Sequence, residues 1–293
     1  MNRILVLGAT GNIGSVIVQN LQDRKADFIA GVPAAEIPKL KRGVKSVAVD
    51  FADKSSLQKA MKGVDSLFLL LPLAAPMLGW ADSIIEAADN SDIGFILRSS
   101  LLDSHPESQH ALYRIHGQID EKVRDSGIPF CIVHPNAFMQ NFAVYYSKSI
   151  IDNSEFYSTN DADTKLSWVD VRDIAAVDTE ILIDPEAHDS EEYMVTGPKA
   201  ISFSEISRIL SMATGRPIRF VKLEENQYKN GLLSMGTPEW NVEMIMSLEQ
   251  YIKIGKQDMV TEDVFDITGH TPHPFEQFAR DYAKTWERVL VHA

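Results

Sequence analysis

The chain holds a single cysteine, Cys131, so no disulfide can form within it. It lies in the apolar run 129–133, where a small buried thiol is the expected state. Positive charge is also scarce, with 28 Lys and Arg against 41 Asp and Glu and a formal net charge of −13. A surface this acidic repels phosphate backbones and anionic lipid, which argues against nucleic acid and membranes as partners. No stretch approaches the roughly 18 uninterrupted apolar residues of a membrane helix. The opening Met1-Asn2-Arg3 leads straight towards a glycine loop, without the apolar segment of a secretion signal. A cytoplasmic location is therefore expected. His105, His110 and His116 lie close together but lack the spacing and carboxylates of a zinc site, so no metal is expected. His105 and His110 are read as surface residues.

What is present is an ordinary globular composition, 45% hydrophobic and 24% charged over 293 residues. Short apolar runs at 4–7, 28–32, 46–49, 66–71, 95–97 and 130–133 are bounded by Gly, Pro, Asp or Ser and predict buried strands. Longer periodic segments at 12–24, 54–62, 76–89 and 106–126 predict helices between them. Strand–helix alternation of this kind implies an α/β fold, a doubly wound parallel sheet covered on both faces. After about residue 136 the rhythm becomes irregular. Helices are expected at 170–184, 204–214, 238–254 and 275–289, and strands at 192–195 and 217–221. We divide the chain into a nucleotide domain at 1–150 and a small α/β lid at 151–293 whose elements pack back on the core.

The stretch "ILVLGATGNIGSVIVQNL" places Gly8, Gly11 and Gly14 between the first strand and the first helix. Glycines there allow a tight turn and close approach of backbone to a pyrophosphate, and the helix N-terminus favours the anion. Thr10, Asn12 and Ile13 belong to the same cradle. Three later stretches, "SGIPFCIVHPNAFMQNF", "KLSWVDVRDIAAVDTEIL" and "EEYMVTGPKAISFSEISRILSMATGRPIRFVKL", extend the pattern. With the loop, they resemble the NmrA-like family of atypical short-chain dehydrogenases in consistent order over residues 3–223. The resemblance implies a Rossmann fold, a nicotinamide dinucleotide and a small-molecule substrate.

The second strand ends at Val32-Pro33, so Pro33 supplies neither the acid that binds the ribose of NAD nor the Arg that binds the 2′-phosphate of NADP. Lys39, Lys41 and Arg42 follow within reach of a phosphate or simply face water. NADP is the cofactor the resemblance implies, with NAD left open. Further contacts are expected where strands end. Asp50 and Phe51 flank the adenine in the resembling family, although Asp50 could equally cap the next helix. Leu71 and Pro72 back the ribose, Ser99 and Ser100 end the fifth strand, and Pro135, Asn136 and Phe138 line the nicotinamide.

The family's relatives typically use Ser with Tyr-x-x-x-Lys. Counting back from Ile128 puts the Lys position at His116 and the Tyr position at Leu112, with Tyr113 displaced by one. A histidine with an ordinary pKa near 6.5 can donate a proton near neutrality. His116 is thus expected as ribose contact or proton donor, with Tyr113 and Ser99 as auxiliaries, or else as a cofactor contact with no catalytic duty. Met139, Phe142, Trp168 and Tyr228 are expected as apolar substrate walls or as plain core. Glu191, Glu192, Asp161 and Asp163 are read as solvated loops. Two functions remain open: an NAD(P)-dependent reductase of a quinone-, dye- or enone-like acceptor, and an inactive NAD(P)-binding redox sensor with a regulatory protein partner.

Overall fold

The computed structural model describes residues 2–287. Its chain divides into two compact units. Among the described residues, the first comprises 2–135, 171–194 and 266–268, and the second 136–170, 195–265 and 269–287. The passage between them thus falls at Pro135, earlier than the expected boundary at 150, and 171–194 returns to the first unit.

The first unit is built on strands β1 (Arg3–Leu7), β2 (Asp27–Val32), β3 (Ser46–Ala48), β4 (Ser66–Leu69), β5 (Phe95–Ser99) and β6 (Phe130–Pro135). Their order is β3-β2-β1-β4-β5-β6, and the pairing is parallel. The order reverses between β1 and β4, which is where such sheets bind ligands. Nearly every residue of β1, β4 and β5 is buried, as expected of strands covered on both faces. Helix α1 (Asn12–Asp23) packs Ile13, Ile17, Val18 and Leu21 inward, an interval of three to four residues. Helix α2 (Lys54–Met61) starts at Asp53, whose carboxylate accepts from the Ser55 amide. The capping role considered for Asp50 therefore belongs to Asp53.

Helices α3 (Met77–Asp89) and α4 (Ala111–Arg124) complete that side of the sheet. Helix α4 begins five residues later than the periodicity suggests. The segment at His105 and Pro106 instead lies across the helix at Gly117, where a Cβ would stand 2.2 Å from the His105 carbonyl carbon.

Beyond β6 come helices α5 (Asn141–Val144) and α6 (Ser147–Asn153), and strands β7 (Glu155–Ser158) and β8 (Lys165–Leu166). Helix α7 (Val171–Ile183) and strand β9 (Glu191–Val195) follow, β9 extending the large sheet beside β6. Then come β10 (Ile201–Ser202), α8 (Phe203–Thr214), β11 (Arg219–Lys222), α9 (Glu225–Ser234), α10 (Glu239–Ile252), α11 (Asp263–Thr268) and α12 (Phe275–Asp281). Strand β10 pairs with β8, and β11 with β7. Helix α8 is delimited by a capping box of Ser202 with Glu205 and by Gly215 in the left-handed conformation. The helix expected at 275–289 ends at Asp281 and gives way to a tighter turn over Ala283–Trp286. Its last two expected residues lie outside the described ones.

The second unit's core gathers around Phe142. Phe156, Trp168, Phe275 and Tyr146 hold their ring centres 5.0–5.3 Å from it. Trp286 donates its indole N–H to the Phe142 carbonyl at 2.8 Å. Met139, Phe142 and Trp168, weighed as substrate walls, are thus core residues, each under 5% exposed. Tyr228 alone of that group is half-buried. Among the described residues no helix is long and apolar enough to cross a membrane.

Candidate active site

The glycine loop leaves β1 through Gly8, whose φ of +70° lies in the region that side chains disfavour. Its amide donates to Gly31 on β2, and the Gly11 amide donates back to the Gly8 carbonyl at 2.9 Å. A Cβ at Gly14 would stand 2.2 Å from the Gly8 carbonyl oxygen, so only glycine fits. A Cβ at Gly11 would stand 3.2 Å from the same atom. Helix α1 then opens at Gly11 with no side-chain cap and no acid in its first turn. Its free amides and dipole suit an anion such as a pyrophosphate. Gly8, Thr10, Gly11, Asn12, Ile13 and Gly14 come together here, with Gly11 and Asn12 exposed.

At the end of β2, Pro33 is exposed and opens a tight turn over Ala34–Lys39. The Glu36 amide donates to the Pro33 carbonyl at 2.8 Å, and the Thr10 hydroxyl donates to the Glu36 carboxylate. That hydroxyl, and secondarily Lys39 at 3.2 Å, holds the Glu36 carboxyl below its usual pKa. Pro33 itself carries neither acid nor Arg, but Glu36 three residues on does bring a carboxylate to this region. An acid stands beside the glycine loop, delivered by a turn rather than by the strand end. The signal was present as "PAAE", a turn-opening Pro with an acid three residues on. Lys39 is engaged by Glu36, and Lys41 by Gln19 on α1.

Asp50 is exposed, and its carboxylate accepts from the Ala52 amide at 2.9 Å. The Phe51 ring rests on Trp80, with centres 5.7 Å apart. Strand β4 stops at Leu69, so Leu71 (buried) and Pro72 (exposed) lie in the loop beyond it. Strand β5 runs on to Ser99, whose side-chain oxygen is buried with no hydrogen-bond partner. An orphaned buried hydroxyl costs about 1–3 kcal/mol. A partner supplied by a ligand would offset that cost.

Helix α4 and β5 enclose a network that composition alone did not reveal. Arg98 and Asp120 are fully buried, with Arg98 Nε 3.2 Å from Asp120 Oδ1. Ser100 and Ser104 donate to Asp120 Oδ2 at 2.5 and 2.6 Å. Arg98 also donates to the Ser99 carbonyl and, through Nη2, to His116 Nδ1 at 3.1 Å. Burial, then the Arg98 charge, pulls the His116 pKa down to about 3, with Asp120 opposing weakly. The expected value near 6.5 is thereby corrected. Tyr113 has no exposed surface, nor does Ser99, so of the three expected catalytic residues only His116 reaches solvent.

On β6, His134 Nε2 lies 2.8 Å from Glu192, and Arg124 adds two further bonds to that carboxylate. The His134 hydrogen bond, and then Arg124, lowers the Glu192 pKa to about 2 against the opposing effect of burial. Glu191 and Glu192 belong to β9 and not to a loop, and both are exposed as expected. Asp161 and Asp163 are exposed, Asp161 pairing with Lys222 at 2.7 Å. Cys131 is buried, and its thiol pKa is pushed up by desolvation.

Pro135 is buried at the end of β6. Asn136, expected against the nicotinamide, makes its side-chain hydrogen bonds within the second unit. Its Nδ2 donates to Ser167 Oγ at 2.6 Å and to the Gln257 carbonyl at 2.9 Å, while Oδ1 accepts from the Ala137 amide. A carboxamide so engaged, and 1% exposed, clamps three segments of the second unit. Phe138 is half-buried and pairs through its backbone with Val169. Among the described residues no group of three or more His, Cys, Asp or Glu is placed to hold a metal.

An uncapped helix N-terminus behind a three-glycine turn, at the reversal point of a parallel sheet, defines a dinucleotide-binding fold. The sequence profile of the NmrA-like family matches residues 1–267, and the chain belongs to that family. It is 35% identical over 282 residues to the NAD(P)H azoreductase of Xenophilus azovorans, covering 96% of this chain and 98% of that one. Among solved structures it is similar to an NADPH-dependent quinone oxidoreductase of Escherichia coli in complex with NADPH. The TM-score is 0.84 at 20% identity, over 95% of this chain and 99% of that one. It is also similar to NmrA, a negative transcriptional regulator in complex with NAD, with a TM-score of 0.79 at 17% identity over 97% and 95% of the two chains.

Proposed function

We propose that the protein is an NAD(P)-dependent reductase of a small organic acceptor of quinone, dye or enone type, acting without a metal. The observation that carries this reading is the glycine cradle, in which Gly14 sits against the Gly8 carbonyl and α1 offers uncapped amides. Likeness to an azoreductase over nearly the whole of both chains supports it. The bound dinucleotide would supply hydride. Gly8 to Gly14 would hold its pyrophosphate, Asp50 and Phe51 its adenine, and Pro135 would flank the nicotinamide. His116 would present a hydrogen bond to the ribose or to the acceptor. A screen of quinones, azo dyes and enones with NADH and NADPH, followed at the nicotinamide absorbance, tests this directly. Gly11→Val is the control: it should remove nucleotide binding and turnover while the circular dichroism spectrum is retained. Wild-type affinity in that variant would refute the loop assignment.

The family resemblance points to NADP, but the contact of Glu36 with Thr10 favours an unphosphorylated ribose. A carboxylate accepts hydrogen bonds from a ribose diol and repels a 2′-phosphate. Preference for NADH by about tenfold or more is therefore expected, collapsing in Glu36→Gln. A wild-type preference for NADPH would overturn this assignment.

A second reading, a redox-sensing regulatory protein, has one observation in its favour. The α4 helix lacks Tyr-x-x-x-Lys, and its His116 does not titrate near neutrality. Tight nucleotide binding with no turnover of any acceptor would decide for it.

A further inference from the structure

A neutral histidine ring carries its proton on one of two nitrogens, and in His116 the neighbour of Nδ1 decides which. A guanidinium has five N–H donors and no acceptor. Arg98 Nη2, 3.1 Å from His116 Nδ1, must therefore donate, and Nδ1 must receive through its lone pair. A proton on Nδ1 would set N–H against N–H. The guanidinium cannot readily turn away. It has no exposed surface, and its other nitrogens are tied to Asp120 and to the Ser99 carbonyl. Asp120 is fixed in turn by Ser100 and Ser104. The residue His116 is half-buried, and its Nε2 makes no hydrogen bond within the described residues.

We infer that Arg98 is a positioning residue that locks His116 as the neutral Nε2–H tautomer, so that α4 offers a fixed hydrogen-bond donor and not a transferable proton. The groups that face the ring agree with this. Arg98 from β5 and His134 from β6 oppose a charge on it, and Asp120 from α4 is already engaged by Arg98 and two serines. An acceptor that gains a hydride gains negative charge on oxygen or nitrogen. Nε2–H would stabilise that charge by a preorganised hydrogen bond, and the proton that completes the reduction would come from water. This catalytic role rests on the reductase reading above; the tautomer does not.

Long-range proton–nitrogen correlation on the full-length, nitrogen-15-labelled protein tests the lock without substrate, the His116 signals being assigned by their loss in His116→Gln. A single Nε2–H tautomer, unchanged between about pH 5 and 9 where an ordinary histidine titrates, is expected. In Arg98→Lys, which keeps a buried cation but loses the planar fork, the ring should show mixed tautomers or begin to titrate. Should Arg98→Lys fail to fold, the wild-type spectrum decides alone. An Nδ1–H tautomer, or a His116 titration in that range, overturns the lock. Where an acceptor is turned over, the rate at saturation should lack a His116 ionisation in the wild type and acquire one in Arg98→Lys. A protein that turns over nothing yet shows the Nε2–H tautomer keeps the lock and loses the reductase reading.

Discussion

Asp120 and Asp178 are buried on opposite faces of the large sheet, and the two are treated in opposite ways. On the face covered by α2, α3 and α4, Asp120 receives Arg98 and two serine hydroxyls. On the face where α7 packs with α1, Asp178 is equally buried, yet neither carboxylate oxygen has a hydrogen-bond partner. Burial alone pushes its pKa well above the usual carboxylate value, because nothing around it favours the charged form. The one carboxylate is an anchor that orients its neighbours. The other orients nothing and costs stability. The pairing of Asp120 with Arg98 and the serines fixes side chains at the end of β5, beside the candidate site.

Breaking the anchored side should have the largest effect. Asp120→Ala leaves Arg98 buried without its counter-ion and should cost about 3–5 kcal/mol in chemical denaturation. A loss below about 1 kcal/mol would mean that water or another group takes over the pairing. The opposite face should respond with the opposite sign. Asp178→Leu removes an unsatisfied acid and should stabilise by about 1–3 kcal/mol. The pH dependence sharpens the contrast, because a raised folded-state pKa makes the contribution of Asp178 most favourable below the unfolded pKa, near 4. As pH rises further, the unfolded chain sheds its proton while the fold retains it, so wild-type stability declines. Asp178→Leu should flatten that decline, and an unchanged slope would show that Asp178 is not its source.

The smallest effect is expected at Glu192, which is partly exposed and bridged to His134 and Arg124. Its pKa is lowered, so its contribution is present above about pH 4.5 and fades as pH falls towards about 2. Glu192→Gln should cost roughly 1 kcal/mol or less at neutral pH after solvent screening. In acid the two proteins should converge. A gap that persists at low pH would assign the effect to packing.

The parts of this fold that were legible in the sequence are those written in local pattern. The glycine loop, six strands of the sheet and the amphipathic helices follow from spacing alone. Helices α5, α6 and α11 are too short to show a full apolar stripe, and α9 buries no residue, so periodicity had nothing to report there. For the candidate site, the sequence pattern shows which residues end strands or open α1, and not how their side chains pair. Arg98 reads as one polar residue in an apolar run, and nothing local says that Asp120, 22 residues on, neutralises it. Asn136 was placed by its strand end, but its carboxamide is taken up by Ser167 and Gln257, 31 and 121 residues away.

The return of residues 171–194 to the first unit bears on how the protein is made. Asn20 on α1 donates to the Ala175 carbonyl and to Thr179 on α7, and Asn2 donates to the Leu182 carbonyl. A ribosome that has released only the first 135 residues has released the whole glycine cradle, but not the helix that covers that side of the sheet. The nascent chain must keep an apolar sheet face waiting until α7 emerges. Until then that face is the part of the nascent chain most open to aggregation.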